Sequence, residues 1–345
     1  MSAPLPPSRA AGAPGPAGVP ARDGAAGRPG PDSAGGVPTP DQASGVPTLD
    51  GAAYRALESV WSVPLVVSVQ SRVAMGHVGN SAAVPVLQFS GCEVVDVPTT
   101  LLSNHPFYPG LRGHPLSPQT VAELLDGISD RGVARTAAGV VSGYLGSPGT
   151  AAVLADFLER ARAVNPDLRY VCDPVMGDAG PGLYVDPALP ALFRDRLLSL
   201  ADAITPNPFE ASWLSGHAID SPNGARRATD ALLARGPSVV VVTGTRLSDT
   251  PADRLDTVLA TADGRWRVRT PFVDRHFDGT GDTFTAAFAG AWLTGTAAPA
   301  AVARAASVLA GVVAVTAAAG AKELQIVACR ALVADPPPLE LLPFE

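Results

Sequence analysis

Two hydrophobic rhythms alternate along most of the chain. Short unbroken aliphatic runs, among them Leu65–Val69, Ala138–Ser142 and Ser238–Thr243, lack the polar interleaving of a half-exposed strand, so they predict strands buried on both faces. Longer stretches with helical spacing lie between them. Asn80–Ser90 predicts a helix after the first strand, Glu93–Val97 the next strand, and Pro118–Arg131 a helix capped by Ser117. Thr150–Val164 predicts a helix that ends at Asn165-Pro166, because a residue before proline is pushed out of helical geometry. Arg169–Cys172 and Ala203–Thr205 predict two more strands. The first delivers Asp173 at its end, and the second delivers Asn207 into a helix start. Val258–Thr261 and Trp266–Arg269, joined by residues 262–265, predict a hairpin, and two Ala-rich helices follow at Thr280–Leu293 and Ala298–Ala318.

Strand–helix alternation over about 260 residues implies a three-layer α/β/α sandwich around a mostly parallel central sheet. In such sheets ligands bind beyond the carboxyl ends of the strands, so the chemistry belongs immediately after strands. The pattern stops at both ends of the chain. The first 50 residues hold 10 Ala, 11 Pro and 9 Gly with no aromatic residue, too little apolar surface to offset the entropy of ordering them. Residues 1–60 are therefore expected as a disordered extension, 61–333 as the folded domain and 334–345 as a short, loose C-terminal tail.

Composition narrows the function classes. The net charge of −7 and the absence of a basic run argue against a nucleic-acid or anionic-membrane surface. The apolar stretch 305–321 is shorter than a usual membrane span and fits a helix buried in a core, so no transmembrane segment is expected. Cys92, Cys172 and Cys329 are scattered without a CxxC pair, which fits a reducing cytoplasm and excludes a disulfide scaffold or zinc ribbon. Lys322 is the only lysine, and no GxxxxGK[ST] loop surrounds it, so a Walker-type nucleotide site is excluded.

Four segments after predicted strands carry polar chemistry. Asp278-Gly279-Thr280-Gly281-Asp282-Thr283 opens a helix, whose unpaired N–H groups suit an anion. An acid at that place, Asp282, either takes a proton from an alcohol or caps the helix. In Cys172-Asp173-Pro174-Val175-Met176-Gly177 the strand delivers an acid suited to Mg²⁺ on nucleotide phosphates, or simply forms an Asp-Pro turn. Thr205-Pro206-Asn207-Pro208-Phe209-Glu210 places Asn207 and Glu210 three apart, which serves either a water of the Mg²⁺ shell or a capping pair. The turn Ser71 to Ser81 suits a small polar substrate, with Ser71 as a donor to a ring nitrogen or hydroxyl, and His77 has no second histidine at metal-ligand spacing. Together they outline a phosphotransferase without a Walker loop.

In this order the motifs S-V-Q-S-x-V-x-x-G-H-V-G-N-S-A (68–82), L-S-N-H (102–105), S-G-Y-L-G-S (142–147), C-D-P-V-M-G (172–177), T-P-N-x-F-E (205–210) and G-T-G-D (279–282) resemble the pyridoxal kinase family of the ribokinase-like superfamily. The resemblance covers most of residues 64–332. It implies a ribokinase-like fold and transfer of phosphate from ATP, with Mg²⁺, to the 5′-hydroxymethyl group of pyridoxal, pyridoxine or pyridoxamine. It also implies a homodimer and a monovalent cation such as K⁺. By the same resemblance Asp282 matches the base, and Gly279, Thr280 and Gly281 match the anion hole. Ser71 is similar to the serine that meets the pyridine nitrogen, and Tyr144 to a tyrosine near substrate and phosphates. Asp173 and Glu210 match acids near ATP and Mg²⁺, Thr205 a nucleotide-side position, and Phe272 and Val273 the segment beside the adenine.

Two positions depart from the family pattern. Pro106 stands where the family's F-S-N-H-T has a threonine that contacts substrate, which removes a hydroxyl and an N–H donor. Thr243 stands where some bacterial members carry a lysine near the nucleotide. Pro106 keeps a hydroxymethylpyrimidine kinase open as an alternative, and a non-catalytic vitamin B6 carrier is a third. The segment 99–115, rich in Pro, Gly and His, is the expected lid over the site.

Overall fold

The computed structural model describes residues 61–106 and 108–344, and the expected N-terminal extension lies outside the described residues. Strand β1 (Leu65–Val73) leads through a glycine-bearing turn into helix α1 (Asn80–Phe89), and β2 (Glu93–Leu102) returns parallel to β1 with Val94 opposite Val66. β3 (Gly113–Pro115) folds back antiparallel on the end of β2. Next come α2 (Pro118–Asp130), β4 (Ala137–Ser142), α3 (Pro148–Val164) and β5 (Arg169–Cys172). A small ribbon of β6 (Gly177–Asp178) and β7 (Gly182–Leu183) precedes β8 (Ala203–Ile204) and α4 (Pro208–Ser215). The chain continues with α5 (Pro222–Leu233), β9 (Val239–Thr245), β10 (Arg254–Thr261), β11 (Gly264–Pro271), α6 (Thr280–Leu293), α7 (Ala298–Ala318) and β12 (Leu341–Pro343).

The main sheet has the order β12-β11-β10-β9-β8-β5-β4-β1-β2-β3. Its centre, from β9 to β2, is parallel, and antiparallel strands close both edges. The unbroken aliphatic runs now have their reason: alternate residues serve two cores. Val67, Val69, Val140, Tyr170, Ile204 and Val240 face one core with Leu125 of α2, Leu154 of α3 and Leu232 of α5. Val66, Val141, Val171, Ala203 and Val241 face the other, with Val86 of α1, Phe284 of α6 and Val308 of α7. Helix α7 is long and apolar enough to cross a membrane, and here it buries Ala301, Val302, Ala305 and Val312 in that second core. The three cysteines are buried and free.

The structure departs from the sequence reading at the edges of elements. β1 and β2 run to Val73 and Leu102, beyond their aliphatic cores, because β3 and the register between Arg72 and Leu101 keep their backbones paired. The expected lid is therefore two strand ends joined by a connection at residues 103–112, an arm rather than a free loop. The hairpin turn tightens to Ala262-Asp263, since Thr261 pairs with Gly264. The clearest correction concerns the C-terminal tail. Residues expected to be loose add β12 to the sheet edge, pairing Leu342 with Arg267, and bury Phe344 to 3% exposure under the Arg267 guanidinium. Proline-rich flanks hid this strand, because only three residues pair.

Phe344→Ala should therefore lower stability by about 3 kcal/mol, the cost of truncating a buried aromatic ring. Urea unfolding should show a lower midpoint at unchanged slope; a wild-type midpoint would mean that this edge contributes nothing.

Candidate active site

The carboxyl ends of β1, β5 and β8 meet the amino end of α6. That meeting rests on two glycines. Gly279, the residue before α6, has φ +79°, and a Cβ there would lie 1.8 Å from the His77 carbonyl oxygen. Gly79, with φ +53°, would put a Cβ 2.2 Å from the Ser71 carbonyl and 2.5 Å from its hydroxyl. Only glycine tolerates both the backbone conformation and the close approach. The β1–α1 turn is thus wedged between Ser71 and the Gly279-Thr280-Gly281 turn. Gly79 donates its N–H to the Asp282 carboxylate.

No side chain caps α6. Asp282 sits in its first turn with its carboxylate influenced by the Gly79 N–H, and no side-chain bond closes the first-turn N–H groups at the open end of the helix. On the same helix, three residues on, Thr285 donates its hydroxyl to Asp173 Oδ2 at 3.1 Å and meets the Thr205 hydroxyl at 2.8 Å. Thr285 was not singled out in the sequence; its spacing from Asp282 along one helix face was the available signal. Asp173 Oδ2 lies 3.7 Å from where a Cβ of Gly281 would stand. Ser71, Asp173, Thr205, Gly279, Gly281 and Asp282 are therefore one cluster.

Glu210 joins it by charge. Its carboxylate closes the capping box of α4: Oε1 accepts the Met176 N–H at 2.9 Å and Oε2 accepts the Asn207 N–H at 3.0 Å, while Asn207 Oδ1 accepts the Glu210 N–H. The capping arrangement allowed by the spacing is thus formed. It also ties the Asp173–Gly177 loop to the Thr205–Glu210 turn, because Asn207 donates to the Gly177 carbonyl at 2.8 Å.

Electrostatics follow from this enclosure. Burial pushes the Asp173 carboxyl well above the usual range, and the Glu210 and Asp282 charges push it further. Burial raises Glu210 to about 7, against the pull of the Met176, Asn207 and Gly177 N–H groups. Burial raises Asp282 as well, opposed by the Gly79 N–H. Tyr184, which the sequence reading passed over, is half exposed, and its phenol is raised by desolvation and by the charges of Glu210, Asp173, Asp178 and Asp282. No cationic side chain of the described residues contributes to the shifts of Asp173, Glu210 or Asp282.

The remaining sequence-selected residues are placed around this cluster. Tyr144 follows β4; its carbonyl accepts the Thr99 hydroxyl at 2.7 Å, and burial raises its phenol. Thr243 donates its N–H to the Pro206 carbonyl at 3.0 Å, beside Thr205. Phe272 carries the Arg246 guanidinium 4.4 Å from its ring centre, and Val273 packs on the second core. Pro106 is exposed and follows the buried His105. No hydrogen bond or ion pair described here joins these five residues to the central carboxylates. Three raised carboxylates next to an uncapped helix end can hold a proton, accept one from a hydroxyl, and leave anionic charge to the N–H groups.

A raised carboxyl binds a proton in the native state that the unfolded chain has already lost. For Glu210 that window runs from about 4.5 to about 7, so the stability of the ligand-free protein should fall as pH rises through it and level off above it. Thermal unfolding across this window should show the trend in the wild type and a shallower one in Glu210→Gln. Equal slopes would remove Glu210 from the balance.

The described geometry has relatives. A sequence profile of the phosphomethylpyrimidine kinase family matches residues 88–326. The chain is 40% identical over 273 residues to "Pyridoxal kinase PdxY" of Rubrobacter xylanophilus, covering 79% of this chain and 94% of that one. It is 41% identical over 271 residues to the protein of the same name from Deinococcus radiodurans, covering 77% and 91%. Its fold superposes on the Leishmania donovani pyridoxal kinase in complex with ADP and pyridoxamine with a TM-score of 0.76 at 28% identity, covering 81% of this chain and 99% of the other. With a mostly parallel sheet covered on both faces and these likenesses over most of its length, the chain belongs to the pyridoxal kinase family, with the ribokinase-like fold.

Proposed function

We propose that the protein transfers the γ-phosphoryl group of ATP to the 5′-hydroxymethyl group of pyridoxal, giving pyridoxal 5′-phosphate and ADP, with pyridoxine and pyridoxamine as further substrates. The carrying observation is the contact of the Ser71 turn with the Gly279–Asp282 turn, in a chain 40% identical to a pyridoxal kinase. Ser71 donates to the pyridine nitrogen, and Asp282 then faces the hydroxymethyl group across Gly79. The hydroxyl oxygen attacks the γ-phosphorus as its proton passes to the Asp282 carboxylate, and the bond to the ADP oxygen breaks. Burial raises the Asp282 carboxyl and so strengthens it as a base. The N–H groups of Gly279, Thr280 and Gly281 receive the charge on the transferring group.

The acids suit a divalent cation. The charges of Glu210 and Asp282 both act against that of Asp173, and no cationic side chain is among the causes that offset them. No group of three or more His, Cys, Asp or Glu among the described residues is arranged to hold a metal directly. Asp173 and Glu210 would therefore hold Mg²⁺ through water, and bound Mg²⁺ neutralises phosphate charge. Thr205 and Thr243 take the nucleotide side, Phe272 and Val273 the adenine, and Tyr144 the phosphates. A monovalent cation such as K⁺, a homodimer and a cytoplasmic setting belong to the same reading.

One observation favours a second substrate. The matching profile is described by phosphomethylpyrimidine kinase, and Pro106 removes a substrate donor, so hydroxymethylpyrimidine competes for the assignment. Purified protein with MgATP should release ADP on adding pyridoxal and form pyridoxal 5′-phosphate. Release only with hydroxymethylpyrimidine would select the second reading, and release with neither would leave a carrier. Asp282→Asn should keep the fold and ATP binding while kcat falls by about 10²–10⁴-fold; wild-type kcat would end its role as base. Pro106→Thr, which restores one hydrogen bond of about 0.5–1.5 kcal/mol, should lower the KM for pyridoxal by roughly two- to tenfold. An unchanged KM would show that position 106 does not touch substrate.

A further inference from the structure

One carboxylate outside the cluster described above touches several of the segments that build it. Glu323 lies in the turn after α7, partly buried. Its Oε2 accepts the His77 N–H at 2.9 Å. Its Oε1 lies 3.3 Å from His105 Nε2, and the Tyr108 phenol lies beside the same carboxylate. Burial pushes the Glu323 carboxyl up, yet the Tyr108, His77 and His105 contacts hold it below the usual range.

The partners belong to two different segments. His77 is in the β1–α1 turn, and its carbonyl is the atom that Gly279 approaches too closely for any Cβ. His105 and Tyr108 are in the β2–β3 arm on either side of residues 106 and 107, with their rings 4.5 Å apart. His105 is buried to 6% exposure, and its Nε2 also faces Asp278 Oδ2 at 3.6 Å, immediately before Gly279. The turn that presents Glu323 is itself anchored: Ala321 and Gln325 donate their N–H groups to Thr316 of α7, and the Arg275 guanidinium donates to the Ala321 carbonyl.

We propose that Glu323 is a positioning residue for the B6 substrate: through His77 and His105 it fixes the arm that carries Pro106 against the turn that carries Gly279 and Asp282. The substrate enters this inference through the pyridoxal kinase reading, while the mechanical part stands on the contacts alone. Charge matters as well as shape, because an ionised carboxylate accepts the His77 N–H and attracts the imidazole edge 3.3 Å away more strongly than an amide oxygen would. Loss of the clamp loosens the arm, which meets the vitamin, and spares the nucleotide side at Thr205 and Thr243.

Glu323→Gln should raise the KM for pyridoxal by about tenfold while the KM for MgATP stays within about twofold. His105→Asn should do the same, and the double variant should be no worse than the more affected single one, because both remove one clamp. Hydrogen–deuterium exchange should quicken in residues 103–112 of Glu323→Gln and stay unchanged in the central strands β4 and β5. A wild-type KM for pyridoxal with unchanged exchange would overturn the proposal. So would equal losses for both substrates with faster exchange throughout, the mark of a merely structural residue. If the wild type itself fails to turn over pyridoxal, the substrate reading fails, and the exchange pattern alone decides whether Glu323 holds the arm.

Discussion

Everything at the carboxyl end of the sheet depends on how closely two turns can approach. A Cβ on Gly279 would come 1.8 Å from the His77 carbonyl, and one on Gly79 would come 2.2 Å from that of Ser71. Because neither atom exists, the turn after the first strand slots between Ser71 and the amino end of α6. From that wedge Gly79 reaches Asp282, and the uncapped end of α6 stays open to an anion. A larger residue at either position would push Asp282 and the Gly279–Gly281 turn away from Ser71. Positioning of this kind is where phosphoryl transfer draws most of its acceleration, since little covalent chemistry is left to the protein.

The second constraint is charge. Three acids, Asp173, Glu210 and Asp282, are enclosed together in a chain that has one lysine, Lys322. Buried carboxylates without a cation hold protons more tightly, so the ligand-free site is poised high. Backbone N–H groups soften this for Glu210 and a threonine hydroxyl softens it for Asp173, which shows that local dipoles do what a fixed cation does elsewhere. Glu323 is a contrasting case. Its donors outweigh burial, and it remains a carboxylate that ties segments together instead of one that awaits a partner.

Much of this was legible before any fold was known. Aliphatic runs marked the parallel strands, because a strand covered on both faces has no polar positions to reveal a period of two. Helices α6 and α7 were read to their ends, since long apolar periodic stretches leave little ambiguity. The motif residues that fall just after strands, Asp173 and Asn207, were found because a parallel sheet sends its strand ends to one edge. Elements that owe their existence to a distant partner were not legible. β3 and β12 are three residues long each and are strands only because β2 and β11 lie beside them.

The sequence by itself determined the α/β alternation, the glycine-bearing turns and the acid at the start of α6, because each is a local pattern read over a few residues. Tertiary structure decided which of these meet. Thr285 against Asp173 spans 112 residues, and Glu323 against the His77 N–H spans 246. A glutamate three residues past a glycine in a turn carries no spacing signal toward a histidine near the start of the domain. It also decided between readings that spacing left open, closing the Asn207–Glu210 capping box and directing Asp282 away from its own helix to Gly79. The physical reason is the same in each case: local geometry sets where a side chain starts, and only the packing of the sheet sets what lies at its other end.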